Sequence, residues 1–413
     1  MKTNWKETTL GEVAKVNEAT VDKNYSFDEI EYIDIASIEE RRILQTQNLN
    51  LEDAPSRAKR IVRDNDSLIS TVRPNLKHYC FIKKAAPNLI ASTGFAVVTA
   101  KKSDPAFIYY LLTTDDYTDY LTKVADSHTS AYPSFNPEVI ENSTFSFPPL
   151  PEQKAIAAIL SSFDDKIELL RRQNKTLESI AQTIFKEWFI NFKVNGKKQK
   201  VNSKTGLPEG WRRGKMGNVV EIRGGTTPST SNPDFWDGDI NWTSPKDLSN
   251  SKTIFLLETE KKITAEGLKQ ISSGLLPRGT LLLSSRAPIG YLAISSIDIS
   301  INQGYIAFLP DAYFSNVFMY LWLTTNMQEV INAANGSTFL EISKSSFKNI
   351  NSVIPPEDVL DKFDQSIKPI FKKIESNIIQ IQTLSKLRDL LLPKLMRGEI
   401  RVKEMQALAE KNS

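Results

Sequence analysis

Pro149-Leu150-Pro151-Glu152-Gln153-Lys154-Ala155-Ile156-Ala157-Ala158-Ile159-Leu160-Ser161-Ser162-Phe163 is the stretch from which the architecture follows. Past Glu152, apolar side chains fall at Ile156, Ile159, Leu160, Phe163, Ile167, Leu170, Leu177, Ile180, Ile184 and Trp188. Steps of three and four residues set one apolar stripe along an α-helix. Pro149 and Pro151 stand before or at its start, where a helix tolerates proline. A second stretch repeats the pattern at Phe363, Ile367, Ile370, Ile374, Ile381, Leu384, Leu387 and Leu391, with Pro355 and Pro356 at its head. Each helix is expected to run about 35–40 residues, roughly 55 Å. So long a seam needs a partner helix, and the other copy is the obvious one, in a coiled coil. Its expected interface is Ile156, Leu160, Phe163, Ile167, Leu177, Ile184 and Trp188 against Phe363, Ile367, Ile374, Leu384 and Leu391. The competing reading packs each helix on its own domain alone.

The helices belong to a longer repeat. Trp5 and Gly11 recur 206 residues on, as Trp211 and Gly217. Pro149 recurs as Pro356, Lys166-Ile167-Glu168 as Lys373-Ile374-Glu375, and Thr176-Leu177 as Thr383-Leu384, each 207 residues on. Between them, Leu68-Ile69-Ser70-Thr71-Val72-Arg73-Pro74 resembles Leu281-Leu282-Leu283-Ser284-Ser285-Arg286-Ala287-Pro288, and Leu112-Thr113-Thr114 resembles Leu323-Thr324-Thr325. A collinear series at one spacing indicates duplication, and its period is too long for a solenoid. Each copy opens with short β-like runs (Glu31 to Ile35, Ser67 to Val72 and Gly94 to Thr99; then Thr280 to Ser284 and Gly304 to Leu309). A helical stretch follows, near Pro105–Thr122 and Phe314–Asn332. The expected class is α+β: two similar mixed α/β domains, each followed by a long helix. Boundaries fall at 1–150, helix 151–192, basic linker 193–210, second domain 211–354, helix 355–400 and polar tail 401–413. From Lys193 to Lys215 there are eight basic residues and one acid, Glu209. This stretch reads as a linker whose charge either meets phosphate or is simply solvated.

Composition narrows the class further. The 413 residues are 40% hydrophobic and 24% charged, which suits a globular chain of two or three domains. The net charge of +3 is too small to indicate a nucleic-acid partner by itself. The single cysteine, Cys80, excludes an internal disulfide and a cysteine-rich zinc site. With only His78 and His128, a histidine-rich metal centre is also not expected. Met1 to Thr9 is polar, without the apolar core of a secretory leader, and no apolar run nears the length of a membrane span. A cytoplasmic chain with no membrane partner is the expectation.

The run Phe147-Pro148-Pro149-Leu150-Pro151-Glu152-Gln153-Lys154-Ala155-Ile156-Ala157 resembles the "P-P-L-P-E-Q-x-x-I-A" opening of the long helix in type I restriction–modification specificity subunits. Leu391-Leu392-Pro393-Lys394-Leu395-Met396-Arg397-Gly398-Glu399-Ile400 resembles that family's second helical region, and the Trp-(x5)-Gly openings resemble its domain starts. The second copy of the first motif, Ile354-Pro355-Pro356-Glu357-Asp358, lacks the Leu-Pro step and the Gln. The resemblance implies two target-recognition domains that each read half of a split duplex DNA sequence. It also implies an antiparallel coiled coil with pseudo-two-fold symmetry that docks two methyltransferase subunits and up to two restriction–translocase subunits. On this reading the chain is not an enzyme and holds no cofactor or metal. S-adenosylmethionine, ATP and magnesium belong to partner chains that perform adenine-N6 methylation and ATP-dependent cleavage.

Base reading needs side chains of fixed donor and acceptor pattern, and phosphate contacts use hydroxyls, amides and cations. The loop after the Ser67–Val72 run offers Ser70, Thr71, Arg73, Asn75, Lys77 and His78. Its counterpart offers Ser284, Ser285 and Arg286. A second pair of segments offers Ser130 and Tyr132, then Ser337 and Thr338. A glycine-rich loop from Gly224 offers Thr226, Thr227 and Ser229. For each, domain packing or an ordinary surface loop is the competing reading. Arg41-Arg42 and Lys59-Arg60 read as solvated basic pairs, and neither His78 nor His128 sits in a catalytic motif.

Two enzymatic motifs are incomplete in the sequence. Asn232-Pro233-Asp234-Phe235 approximates an adenine-methylase "N-P-P-F" motif, but Asp234 breaks it and no glycine-rich cofactor loop precedes it. Asp247 with Glu260-Lys261-Lys262 has a spacing common by chance, and no Walker loop occurs. The alternative of another class is a coiled-coil structural adaptor, which leaves the duplicated donor-rich domains unexplained.

Overall fold

A computed structural model describes residues 5–128, 132–251, 253–286, 288–310, 312–336 and 340–402. Its contacts divide the chain into two units, one of Met1–Lys166 with Leu384–Ser413 and one of Ile167–Thr383. The division cuts through both long helices, Leu150–Phe189 and Glu357–Met396, each of 40 residues. Both ends of the second helix lie 207 residues beyond those of the first, so the repeat found in the sequence is a repeat of elements.

The first unit holds two four-stranded sheets. One runs in the order Ala14–Val16, Phe95–Ala100, Asp66–Ser70, Tyr79–Ile82, all antiparallel. The other runs Gln47–Asn50, Glu29–Ile33, Leu89–Ser92, Ala58–Ile61, with its middle pair parallel. The predicted strands are present, displaced by a residue or two. The helical stretch near Pro105–Thr122 is instead two helices, Pro105–Leu112 and Asp115–His128. The break comes at Thr113 and Thr114, whose hydroxyls donate back to carbonyls of the preceding turn. Leu10, Phe107, Leu111 and Phe147 join Ile156, Leu160, Leu392 and Leu395 in one core.

The second unit repeats the plan. Ile222–Arg223, Tyr305–Phe308, Leu281–Ser284 and Leu292–Ser295 match the first sheet strand for strand, with Phe255–Leu256 added at the edge. Trp236–Thr243 pairs in parallel with Ser300–Ile301, as Glu29–Ile33 does with Leu89–Ser92. The predicted helix is Asn316–Asn332. The core is aromatic: Phe189 lies 4.7 Å from Phe363 and 4.9 Å from Phe318, centroid to centroid, with Phe185 and Trp188 beside them. Each such buried side chain contributes about 1.5–3 kcal/mol of burial energy.

Within each unit the long helices run antiparallel. Ile156 and Leu160 share a core with Leu392 and Leu395 in the first, and Ala181 to Phe189 share one with Leu360 to Ile374 in the second. Of the expected interface, Ile156, Leu160, Ile167, Trp188, Phe363, Ile367 and Ile374 are buried. Phe163, Leu177, Ile184, Leu384 and Leu391 are half-buried.

The basic stretch differs from a plain linker. Lys193–Val194 and Lys197–Lys198 form a β-hairpin, and a bridge between Val201 and Pro208 closes a second turn. Among the described residues no helix is long and apolar enough to cross a membrane, and no His/Cys/Asp/Glu group suits a metal ion.

Candidate nucleic-acid interface

In the first unit, two candidate segments far apart in sequence meet. The strand Asp66–Ser70 ends in a loop that pairs with residues 133–135. Arg73 N donates to Pro133 O (2.9 Å), Phe135 N donates to Thr71 O (3.0 Å), and Val72 bridges Ser134. Arg73 stands in the left-handed region (φ 48°), which lifts its side chain out of the ladder. Its guanidinium lies 5.2 Å from the ring centroid of Tyr132, a side chain 70% exposed. A cation stacked on an exposed aromatic ring presents donors at a fixed angle. Asn75 is exposed beside it. Lys77 is tied to Asp115 (2.8 Å), and His78 Nδ1 meets Ile38 O.

The serines and threonine of this loop have another task. Ser70 and Thr71 are buried. Ser70 Oγ donates to Val72 O (2.8 Å) and Thr71 Oγ1 donates to Gly94 O (3.0 Å). Through these bonds they hold the loop's backbone. Ser284 and Ser285 are likewise buried, with Ser284 Oγ donating to Pro288 O (2.8 Å).

The hydrogen bonds also set the register of the repeat. Thr71 N donates to Gly94 O as Ser285 N donates to Gly304 O, and Phe135 N bonds Thr71 O as Ile342 N bonds Ser285 O. Arg286, which bridges Glu341, therefore takes the place of Val72, not of Arg73. Side-chain similarity aligns the arginines, Arg73 directly before Pro74 and Arg286 two residues before Pro288, whereas the ladder counts backbone positions. Arg286 Nη1 lies 3.8 Å from Glu341 Oε2, a loose, half-exposed pair.

The glycine-rich loop of the second unit joins the same face. A side chain at Gly225 would collide with Ile301 O at 1.8 Å, so only glycine allows this approach. Thr227 Oγ1 donates to Gln303 Oε1 (2.7 Å), one residue before the Gly304 that holds Ser285. Lys344 Nζ lies against Gly224, 3.1 Å from where a Cβ would stand. Thr226 Oγ1 donates to Gln270 O (2.7 Å) and Ser229 Oγ bonds Ser231 Oγ (2.8 Å). Gln303 and Lys344, both exposed, were not found from the sequence, since neither lies in a donor-rich run. At the place of Gln303 the first unit has exposed Thr93, whose N donates to the carbonyl of exposed Arg57 (2.8 Å). Ser130, Ser337 and Thr338 lie outside the described residues.

Arg41 is not a solvated cation. Its guanidinium sits 5.2–5.6 Å from the ring centroids of Tyr79, Tyr109 and Tyr110, and its Nη1 donates to Thr113 Oγ1 (3.0 Å). A left-handed backbone (φ 64°) turns it inward, away from exposed Arg42. Nearby, Tyr110 donates to Asp164 Oδ2 (2.6 Å), and burial first, then the Asp164 charge, pushes the phenol's pKa up.

Residues 2–179 and 208–389 match the family described as Type I restriction modification DNA specificity domain. The chain is similar to the Type I restriction enzyme HindI specificity subunit of Haemophilus influenzae, with 26% identity covering 96% of this chain and 99% of that one. It is also similar to the Type I restriction enzyme MjaIX specificity subunit of Methanocaldococcus jannaschii, with 27% identity covering 79% of this chain and 76% of that one. In fold it is similar to the crystal structure of a Type-I restriction-modification system S subunit from M. genitalium. That likeness has a TM-score of 0.59 at 14% identity, over 95% of this chain and 96% of that one.

Proposed function

This chain belongs to the type I restriction–modification DNA specificity family, and on that premise we propose that each of its two repeats reads one half of a split duplex DNA target. It is a specificity subunit of such a system. The observation that carries the bipartite reading is the duplicated loop frame. Thr71, Gly94 and Phe135 in one unit, and Ser285, Gly304 and Ile342 in the other, fix the same backbone pattern around different exposed side chains. A shared frame with diverged tips suits two domains that read different sequences.

In the first unit the reading side chains are Arg73, Asn75 and Tyr132. Arginine matches the acceptors of guanine, and asparagine matches the paired acceptor and donor of adenine. In the second they are Arg286, Thr227, Gln303 and Lys344. The long helices dock modification subunits and, where present, restriction subunits. Those chains bind S-adenosylmethionine, ATP and magnesium and perform the chemistry, while this chain chooses the site. The reading places the chain in the cytoplasm, with the DNA it selects.

The test is co-expression with a modification subunit of its system, in a host lacking adenine methylation, followed by mapping of N6-methyladenine. We expect methylation at one split motif with a fixed gap, absent when this chain is left out. A stable complex that adds no methylation contradicts the proposal.

A further inference from the structure

The segment after the first long helix is an ordered basic ribbon, compensated only at Lys193 among the described residues. Its first turn is Asn195-Gly196, with φ of 49° and 77°, the pair of positive values that a tight two-residue hairpin requires. Phe192 anchors it, packing edge-on against Trp211 at 5.2 Å, and Gln199 N closes it on Phe192 O (2.8 Å). A second turn follows, with Asn202 N on Leu207 O (2.9 Å) and Leu207 itself buried. From Lys193 to Pro208 there are five lysines and no acid.

The ladder places Lys193 directly opposite Lys198. Like charges facing across a strand pair are destabilising. Lys193 is eased by Glu187 at 3.4 Å. Lys197, Lys198, Lys200 and Lys204 are exposed and make no ion pair among the described residues. A connection that needed only reach would be flexible and neutral. This one holds four free cations on a fixed backbone, with two of its lysines facing each other.

We propose that this ribbon is a phosphate-binding surface that grips duplex DNA without reading its sequence. The inference rests on the specificity reading above and adds a contact outside both recognition faces. Cations on a duplex backbone release counterions, so their contribution appears in the salt dependence of binding and is the same for every sequence.

The experiment uses the full chain and its variant Lys197→Gln/Lys198→Gln/Lys200→Gln/Lys204→Gln. Each is titrated over a salt series with a duplex carrying the mapped motif and with a motif-free duplex of equal length. The slope of log K against log salt is expected to become shallower by roughly 0.9 for each lysine that holds a phosphate. Affinity is expected to fall by the same factor on both duplexes, and the Lys→Arg form of the quadruple variant to keep the wild-type slope. Equal slopes for wild type and the glutamine variant overturn the ribbon's role and leave the specificity reading standing, including where that variant instead loses a protein partner. A loss confined to the motif-bearing duplex also overturns it, since the ribbon would then be reading sequence. A wild-type chain that binds neither duplex overturns the specificity reading and the ribbon with it.

Discussion

Gln153 commits both ends of its amide to its own chain. Its Oε1 accepts from Ser103 Oγ and from Asp104 N (3.0 Å), and its Nε2 donates to Pro148 O (2.8 Å). Asp104 in turn caps the helix that begins at Pro105. One side chain thus ties the head of the long helix to the recognition module. The second repeat has Leu360 at the equivalent place, buried in apolar surroundings. Gln153→Ala is expected to lower the unfolding free energy by about 1–3 kcal/mol, because three buried polar groups lose their partner. Denaturant unfolding checks this, and an unchanged midpoint and slope would contradict it. The glutamine was visible in the sequence as part of a motif, but its bonds were not. The same limit explains Ser70 and Arg41. A hydroxyl or a guanidinium looks equally available in a sequence whether it meets solvent or a neighbour's carbonyl. Here left-handed backbones at Arg41 and Arg73 send one arginine inward and one outward, and nothing local in their residue types announces that.

The seam between the long helices is apolar by spacing and polar at chosen points. Arg388, 6% exposed, donates to Asp164 Oδ1 (2.6 Å) in the first unit. Burial opposes the charge on Arg388, and its bonds to Asp389 and Asp164 outweigh this, so its pKa is raised. In the second unit Asn377, fully buried, donates to Asn174 Oδ1 (2.8 Å). The residues equivalent to Asp164 and Arg388 by the 207-residue repeat are Phe371 and Ala181, which lie in one apolar core. Breaking a buried pair leaves an uncompensated charge, whereas replacing both members does not. Arg388→Met is therefore expected to destabilise by about 3–5 kcal/mol, and Asp164→Asn/Arg388→Met, which removes both charges and keeps an acceptor for Tyr110, by less than the single change. Thermal unfolding of both variants checks it, and a double variant less stable than the single would contradict it. The three- and four-residue spacing made both helices legible because burial of one stripe demands it. It could not register Asp164, Asn174, Asn377 or Arg388, since a polar residue on an apolar stripe reads as an interruption until its partner is known.

At the scale of the whole chain, the duplication was the most legible feature. A repeat leaves the same residues at the same interval wherever the fold needs them, as at Trp5 and Trp211, both followed by a strand paired to the end of its own domain. The recognition faces were legible only in part. Arg73 and Asn75 were chosen from one run, but their neighbour Tyr132 comes from another, and Gln303 and Lys344 stand where no run drew attention to them. Convergence of separate loops is a property of the sheet that carries them, not of any one segment.

The most direct test of two independent readers is the methylation map of the Arg73→Ala/Asn75→Ala variant, set beside that of the wild type. One half of the split motif should relax or change, while the other half and the gap between them stay as they were. Both halves changing together, or neither, would contradict the assignment of one half-site to each repeat.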